Sequence, residues 1–218
     1  MTVNSEELGK LLDGIANNLV YASIHNRLHT NLCKASEEYN REMKYSPVFW
    51  QLTINAHATT TILMLCRVYD THKDSLNMKK LLNIVSANPK LFEKDNFCER
   101  IKDRQFIDEL SQIPRVPDHK IITRDIEYVS EETNPLVKKL SDFRDKQVAH
   151  TDRRSILDAS QNVNTISWGK VEELLSRGIE IFNTYEKLFR ASSWVLNMPG
   201  EEDYQRILKS VRQTNIRK

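Results

Sequence analysis

The stretch Ser5-Glu6-Glu7-Leu8-Gly9-Lys10-Leu11-Leu12-Asp13-Gly14-Ile15-Ala16-Asn17-Asn18-Leu19-Val20-Tyr21-Ala22 decides the fold. Leu8, Leu11, Leu12, Ile15, Leu19 and Ala22 return every three or four residues, the spacing that lines one face of an α-helix. The stripe continues less regularly through Leu28, Leu32, Ala35 and Tyr39, which predicts a long first helix ending near Lys44. Ser46-Pro47 then supplies an N-cap and a proline at the first helical position, where the missing N–H costs nothing. A second helix follows through Phe49, Leu52, Ala56, Leu63 and Val68 to about Tyr69. Thr59, Thr60 and Thr61 form a β-branched run that would weaken an isolated helix. The helical period on both sides outweighs it.

The same signals recur downstream. Asp74-Ser75 caps a short helix carrying Leu76, Leu81, Leu82 and Val85, and Asn88-Pro89 starts another. Asp95 to Pro117 is a charged segment with Phe97, Ile101, Phe106, Leu110 and Ile113 at periodic positions, broken by Pro114 and Pro117. Helical pattern resumes from Asp118 through Ile122, Ile126 and Val129. Asn134-Pro135 restarts it toward Leu136, Val137, Leu140 and Phe143. Thr151 to Ser167 lacks periodicity and reads as a loop. Trp168 opens a last strong helix with Val171, Leu174, Leu175, Ile179, Phe182, Leu188 and Phe189 on its apolar side, ended by Met198-Pro199-Gly200. A short basic tail follows, with Arg206, Lys209, Arg212, Arg217 and Lys218, read as a solvated terminus. The chain is all-α, one helical domain over 1–218 with 95–132 as an elaboration and 200–218 as the tail.

Composition agrees. Five Gly and six Pro in 218 residues leave room for long helices and argue against a β-sandwich turning every ten residues or so. A formal net charge of +2 gives no global field that would announce a nucleic-acid binder, so any positive potential toward RNA is local. Cys33, Cys66 and Cys98 stand far apart in odd number, as small reduced core thiols of a cytoplasmic protein do. The opening Thr2-Val3-Asn4-Ser5-Glu6-Glu7 is polar and acidic where a signal peptide is basic and then apolar. No apolar run is long enough to span a bilayer.

Chemistry concentrates at Phe143-Arg144-Asp145-Lys146-Gln147-Val148-Ala149-His150, followed by Thr151-Asp152. It gathers a permanent guanidinium, a carboxylate and an imidazole within about two helical turns, groups able to stabilise a phosphorane and move a proton near neutral pH. Six residues separate Arg144 from His150, about 600° of helical rotation, so on a continuous helix the two diverge by about 120°. Either the helix ends before His150, or two copies of the motif meet across a dimer. A cation beside the last carbonyls of a helix is the plainer explanation of the same residues.

Arg144-Asp145-Lys146-Gln147-Val148-Ala149-His150 resembles the arginine, four to six residues, histidine signature of the HEPN superfamily, with a polar residue directly after the arginine. Ser46-Pro47-Val48-Phe49-Trp50, Leu65-Cys66-Arg67-Val68-Tyr69-Asp70 and the Phe143-to-Asp152 segment are similar to its AbiU-type abortive-infection branch, over roughly Leu8 to Phe189. The resemblance implies an up-and-down helical bundle with extra short helices, dimerised with its motifs at the interface. It implies a metal-independent, cofactor-free endoribonuclease, a toxin or phage-defence effector with RNA as substrate and an antitoxin protein as a possible partner. His150 would then exchange a proton with the attacking ribose 2′-hydroxyl. Arg144 would hold the phosphate and offset charge on the phosphorane, Asp145 would orient one of them, and Lys146 and Gln147 would touch phosphate or sugar. The chain departs from HEPN toxins that carry an AMP-accepting tyrosine soon after the histidine, because Asp152 stands two places on. Control by AMP transfer is not implied.

Two other readings stay open: a HEPN bundle that binds RNA, a nucleotide or a protein without cutting, and a helical interaction protein with no RNA affinity. His25 and His29, at i and i+4, have zinc-ligand spacing, but no third ligand stands at a suitable position and they read as surface histidines. Arg67, Tyr69 and Asp70 close the second helix; they could reach the RNA site, and an intramolecular salt bridge and a packed ring explain them at least as well. Trp50, Trp168 and Trp194 read as core or dimer contacts.

Overall fold

Asn4 starts the first helix by a reciprocal exchange. Its side chain accepts from the Glu7 N–H at 2.9 Å while Glu7 accepts from the Asn4 N–H at 2.9 Å, which satisfies two otherwise orphaned donors. The computed structural model describes residues 2–70, 72, 74–144 and 166–216. In it α1 spans Ser5–Glu38 and buries Leu8, Leu12, Ile15, Ala16, Leu19 and Ala22, the stripe on which the fold was read. The helix does not run unbroken to Lys44. Tyr39 leaves helical geometry so that its ring is buried, with the Arg212 guanidinium 4.3 Å above it, and a single turn, α2 (Asn40–Met43), follows.

The second long helix, α3 (Pro47–Tyr69), begins with proline at its first turn, but the Ser46 side chain makes no capping bond. Proline's fixed φ sets that start. Thr61 shows why the threonine run survives: its side chain is buried and its hydroxyl donates to the His57 carbonyl at 2.9 Å. α4 (Met78–Ala87) is capped by Asn77, which accepts from the Lys80 N–H at 2.9 Å, rather than by Asp74-Ser75. A 3₁₀ turn at Pro89–Phe92 leads into α5 (Lys94–Arg100) and α6 (Ile107–Ser111). Asp118 caps α7 (His119–Val129) and Asn134 caps α8 (Pro135–Phe143).

α9 (Trp168–Arg190) closes the core and stops before Met198, where Ala191 turns into the left-handed region at φ 51°. The basic segment after Gly200 carries a further helix among the described residues. α10 (Tyr204–Ile216) docks through the buried Leu208 and through Arg212, whose Nε donates to Glu42 at 2.8 Å.

α1 packs along α3, with α9 against both, and α4 pairs with α7. One apolar core joins Leu12, Leu19, Leu65, Val68, Phe182 and Phe189 among others, with Trp168 and Trp194 packed on its edge. A second cluster gathers Leu32, Tyr39, Met43, Trp50 and Leu208 around α2 and α10. There is no strand among the described residues, and the architecture is the all-α, HEPN-like bundle that the sequence implied. No helix among them is long and apolar enough to cross a membrane.

Candidate functional site

Arg144 sits at the end of α8, and the fold carries it to the end of α3. α8 buries Val137 and Leu140 against the core, while α3 buries Leu65, Cys66, Val68 and Tyr69. Tyr69 locks that terminus by donating its hydroxyl to the Leu174 carbonyl of α9 at 2.8 Å, and burial pushes its pKa well up. The next residue, Asp70, is thereby held at the rim, where its Oδ1 lies 3.1 Å from Nη1 of Arg144. The two side chains are 20% and 26% exposed, so the pair is partly desolvated yet reachable from solvent.

Burial alone would raise the Asp70 carboxyl. The His72 backbone N–H, 3.1 Å from Oδ1, outweighs it together with the Arg144 guanidinium and Ser75, and holds Asp70 below the usual carboxylate range. Asp70 is therefore a stable anion at neutral pH, and it fixes the position of Arg144.

Beneath the pair, Cys66, Val137, Leu140 and Ser141 line a crevice too tight to admit a water molecule.

Of the residues expected at the site, the structure places Arg144. Asp145, Lys146, Gln147 and His150 lie outside the described residues, as does the expected loop Thr151–Ser167 apart from its last two residues. Among the described residues the carboxylate on Arg144 is Asp70, and the orienting role that the resemblance implies for Asp145 lies outside them. The signal for Asp70 was present in Leu65-Cys66-Arg67-Val68-Tyr69-Asp70. Of that segment, Tyr69 is the packed ring and Asp70 the salt-bridge partner, while Arg67 is exposed with Nη1 3.8 Å from the Met64 sulfur.

The histidines on α1 are half-buried and not on the open surface. His25 meets His57 of α3, with Nδ1 to Nδ1 at 2.9 Å, so one ring donates and the other accepts. Burial lowers the pKa of both. His29 has Nδ1 3.3 Å from the Ile54 carbonyl and Nε2 3.7 Å from the Cys33 sulfur, with the Trp168 ring 4.1 Å away. No group of three or more His, Cys, Asp or Glu among the described residues is placed to hold a metal ion.

The fold is an all-α bundle in which a late helix delivers Arg144 to the rim at the end of α3. The comparison with protein families is more specific: a family model described as AbiU2 matches residues 5–209. The chain belongs to the AbiU2 family of HEPN proteins. No curated relative and no solved structure matches it.

Proposed function

We propose that this protein is a metal-independent endoribonuclease, a toxin or phage-defence effector of the cytoplasm, acting at a site completed between two copies of the chain. The observation that carries the reading is Arg144 of the HEPN signature, held at the rim by Asp70 within a chain that belongs to the AbiU2 family.

The chemistry needs two groups. His150 removes the proton of the ribose 2′-hydroxyl, and the freed oxygen bonds to the adjacent phosphorus. The bond to the 5′-oxygen breaks, that oxygen takes up a proton, and a 2′,3′-cyclic phosphate remains. Arg144 offsets charge on the phosphorane, Asp145 orients the pair, and Lys146 and Gln147 contact phosphate or sugar. DNA lacks the nucleophile and is not cut. A partner antitoxin would act by covering Arg144.

The test is cleavage of an RNA panel in EDTA by the wild type, Arg144→Ala and His150→Ala. Loss of an oxyanion-stabilising donor costs about 10²–10³ in rate and loss of a general base about 10²–10⁴. Activity surviving either substitution removes the assignment. The near-neutral net charge of +2 favours a second reading, a HEPN module that binds RNA, a nucleotide or a protein without cutting. It predicts binding with no products.

A further inference from the structure

Arg115 is a cation taken out of water without a counter-ion. Pro114 and Pro117 keep the chain out of helix between Ser111 and His119, and on that stretch Arg115 turns inward until it is only 8% exposed. Nη1 donates to the Lys187 carbonyl at 2.7 Å and Nη2 to the Leu110 carbonyl at 2.9 Å. The guanidinium carbon lies 4.1 Å from the centre of the Phe97 ring. Nε is buried and has no acceptor, and no carboxylate among the described residues pairs with Arg115. Burial pulls its pKa below the ordinary arginine value, yet a guanidinium keeps its charge. Buried charges are ordinarily paired, because carbonyls and a ring face return only part of the hydration given up.

The same side chain lines a crevice of about 330 Å³, at the small end of the range for small-molecule sites. The inner lining is Phe92 and Phe97, both fully buried, and the outer lining is Ile113, Pro114 and Val116. Ile113 and Val116 stand 56% and 50% exposed, apolar surface that an apolar ligand would cover. Glu93 and Lys94, also on the lining and both exposed, oppose one another in charge and leave Arg115 to set the sign.

The geometry points to a binding site for a small monocarboxylate with an apolar body, its carboxylate on the Arg115 guanidinium and its hydrocarbon against Phe92, Phe97 and Ile113. One cation matches one negative charge. A dianionic phosphate finds a single positive group and an apolar wall, and RNA finds one cation set inside a crevice. Nε is closed to water, so the carboxylate reaches it as the rim side chains shift, an ordinary scale of change on binding. The site stands apart from the Arg144 rim. Lys187, which holds Arg115, lies about 20 Å along α9 from Leu174, which holds Tyr69 beside Asp70. Binding here therefore stands or falls separately from RNA cleavage.

The experiment is calorimetric titration of the full chain with sodium octanoate below its micelle-forming concentration. It is run beside 1-octanol, which has the hydrocarbon without the charge, and inorganic phosphate, which has charge without hydrocarbon. Octanoate binds one site per chain, about tenfold or more tightly than either, the worth of one charge-assisted hydrogen bond. The Arg115 Nε–H resonance in proton–nitrogen NMR spectra, identified by its loss in Arg115→Lys, moves with octanoate along the same saturation curve. Ile113→Asp sets a like charge at the mouth from an exposed position and weakens octanoate about tenfold or more, while Ile113→Leu binds as the wild type does. Should Arg115→Lys not fold, the Ile113 pair decides alone. Absence of octanoate binding overturns the site. So does octanol or phosphate binding as tightly as octanoate, which would mean a crevice indifferent to Arg115 or a plain anion patch. Unchanged octanoate affinity in Ile113→Asp would place the ligand elsewhere and overturn it too.

Discussion

The C-terminal ends of α9 and α3 both attract arginines, and they do so by different means. At the C-terminus of α9 the carbonyls of Lys187, Phe189 and Arg190 accept from Arg115, Arg100 and Arg104 at 2.7, 2.8 and 2.6 Å. Arg100 also donates to the Ser5 hydroxyl and the Leu91 carbonyl, and its guanidinium lies 3.7 Å from the centre of the Phe189 ring. Burial, helped by the nearby Arg190, brings its pKa down to about 10. At the C-terminus of α3 the arrangement is a carboxylate, Asp70, facing Arg144 at the rim. Backbone carbonyls of a packed helix and a ring face cannot be exchanged for a ligand. An aspartate can, because a phosphate presents the guanidinium with the same kind of anionic oxygens. The first end is built to stay; the second can trade partners. The Asp95–Pro117 segment, which supplies Arg100, Arg104 and Arg115, accordingly closes the end of α9.

The largest effects divide the two ends cleanly. On the proposed nuclease reading, Arg144→Ala lowers RNA cleavage by about 10²–10³ while unfolding free energy changes by no more than about 1 kcal/mol, as for a partly exposed ion pair. Arg100→Ala does the opposite. Losing three hydrogen bonds and a ring contact at a half-buried position costs about 2–4 kcal/mol, a fall in Tm of roughly 5–15 °C at this chain length. Cleavage by the folded fraction persists. Paired thermal melts and cleavage rates decide it, and a large stability loss in Arg144→Ala would erase the distinction.

Asp70→Asn sharpens the comparison at the second end. The amide keeps the shape but loses the charge that fixes Arg144, so the proposed cleavage falls by up to about 10²-fold, the cost of a misplaced positioning contact, with the RNA-binding constant less affected. The Asp70 carboxyl titrates below its usual value when folded. Its contribution is therefore complete at pH values above the ordinary aspartate range near 3.9 and fades as acid protonates the folded form. Urea midpoints across pH 2.5–7 should fall less steeply at the acid end for Asp70→Asn than for wild type, by under about 1 kcal/mol because the pair is partly exposed. Equal acid limbs would mean that Asp70 carries no linkage.

How much of this was legible in the residues follows from the range of each interaction. The stripe from Leu8 to Ala22, the proline starts at Pro47 and Pro135, and the apolar face of α9 are local patterns, and each gave its helix. The break at Tyr39 depends on Arg212, far along the chain, and so does the docking of α10 through Glu42; no window around either residue contains the cause. The same holds for His25 on His57, and for Arg144 on Asp70, 74 positions away. The motif announced an arginine that needed a carboxylate. Only the crossing of α8 and α3 ends says which one the described residues supply.

The smallest effect belongs to Arg104, which caps the same helix as Arg100 from an exposed position. Without its guanidinium the Arg190 carbonyl turns to water, so Arg104→Ala costs about 0.5–1 kcal/mol, the net worth of one hydrogen bond made in solvent. Arg104→Lys recovers part of that through the favourable placing of a cation at a helix C-terminus. Measured beside Arg100→Ala by chemical denaturation, the difference reports what burial, the Phe189 ring and the two further hydrogen bonds to Ser5 and Leu91 add to a carbonyl cap. If the two alanine variants lose equal stability, burial, the ring and the two further bonds of Arg100 add nothing to one carbonyl cap, and the contrast with the Asp70 end narrows to the identity of the acceptor.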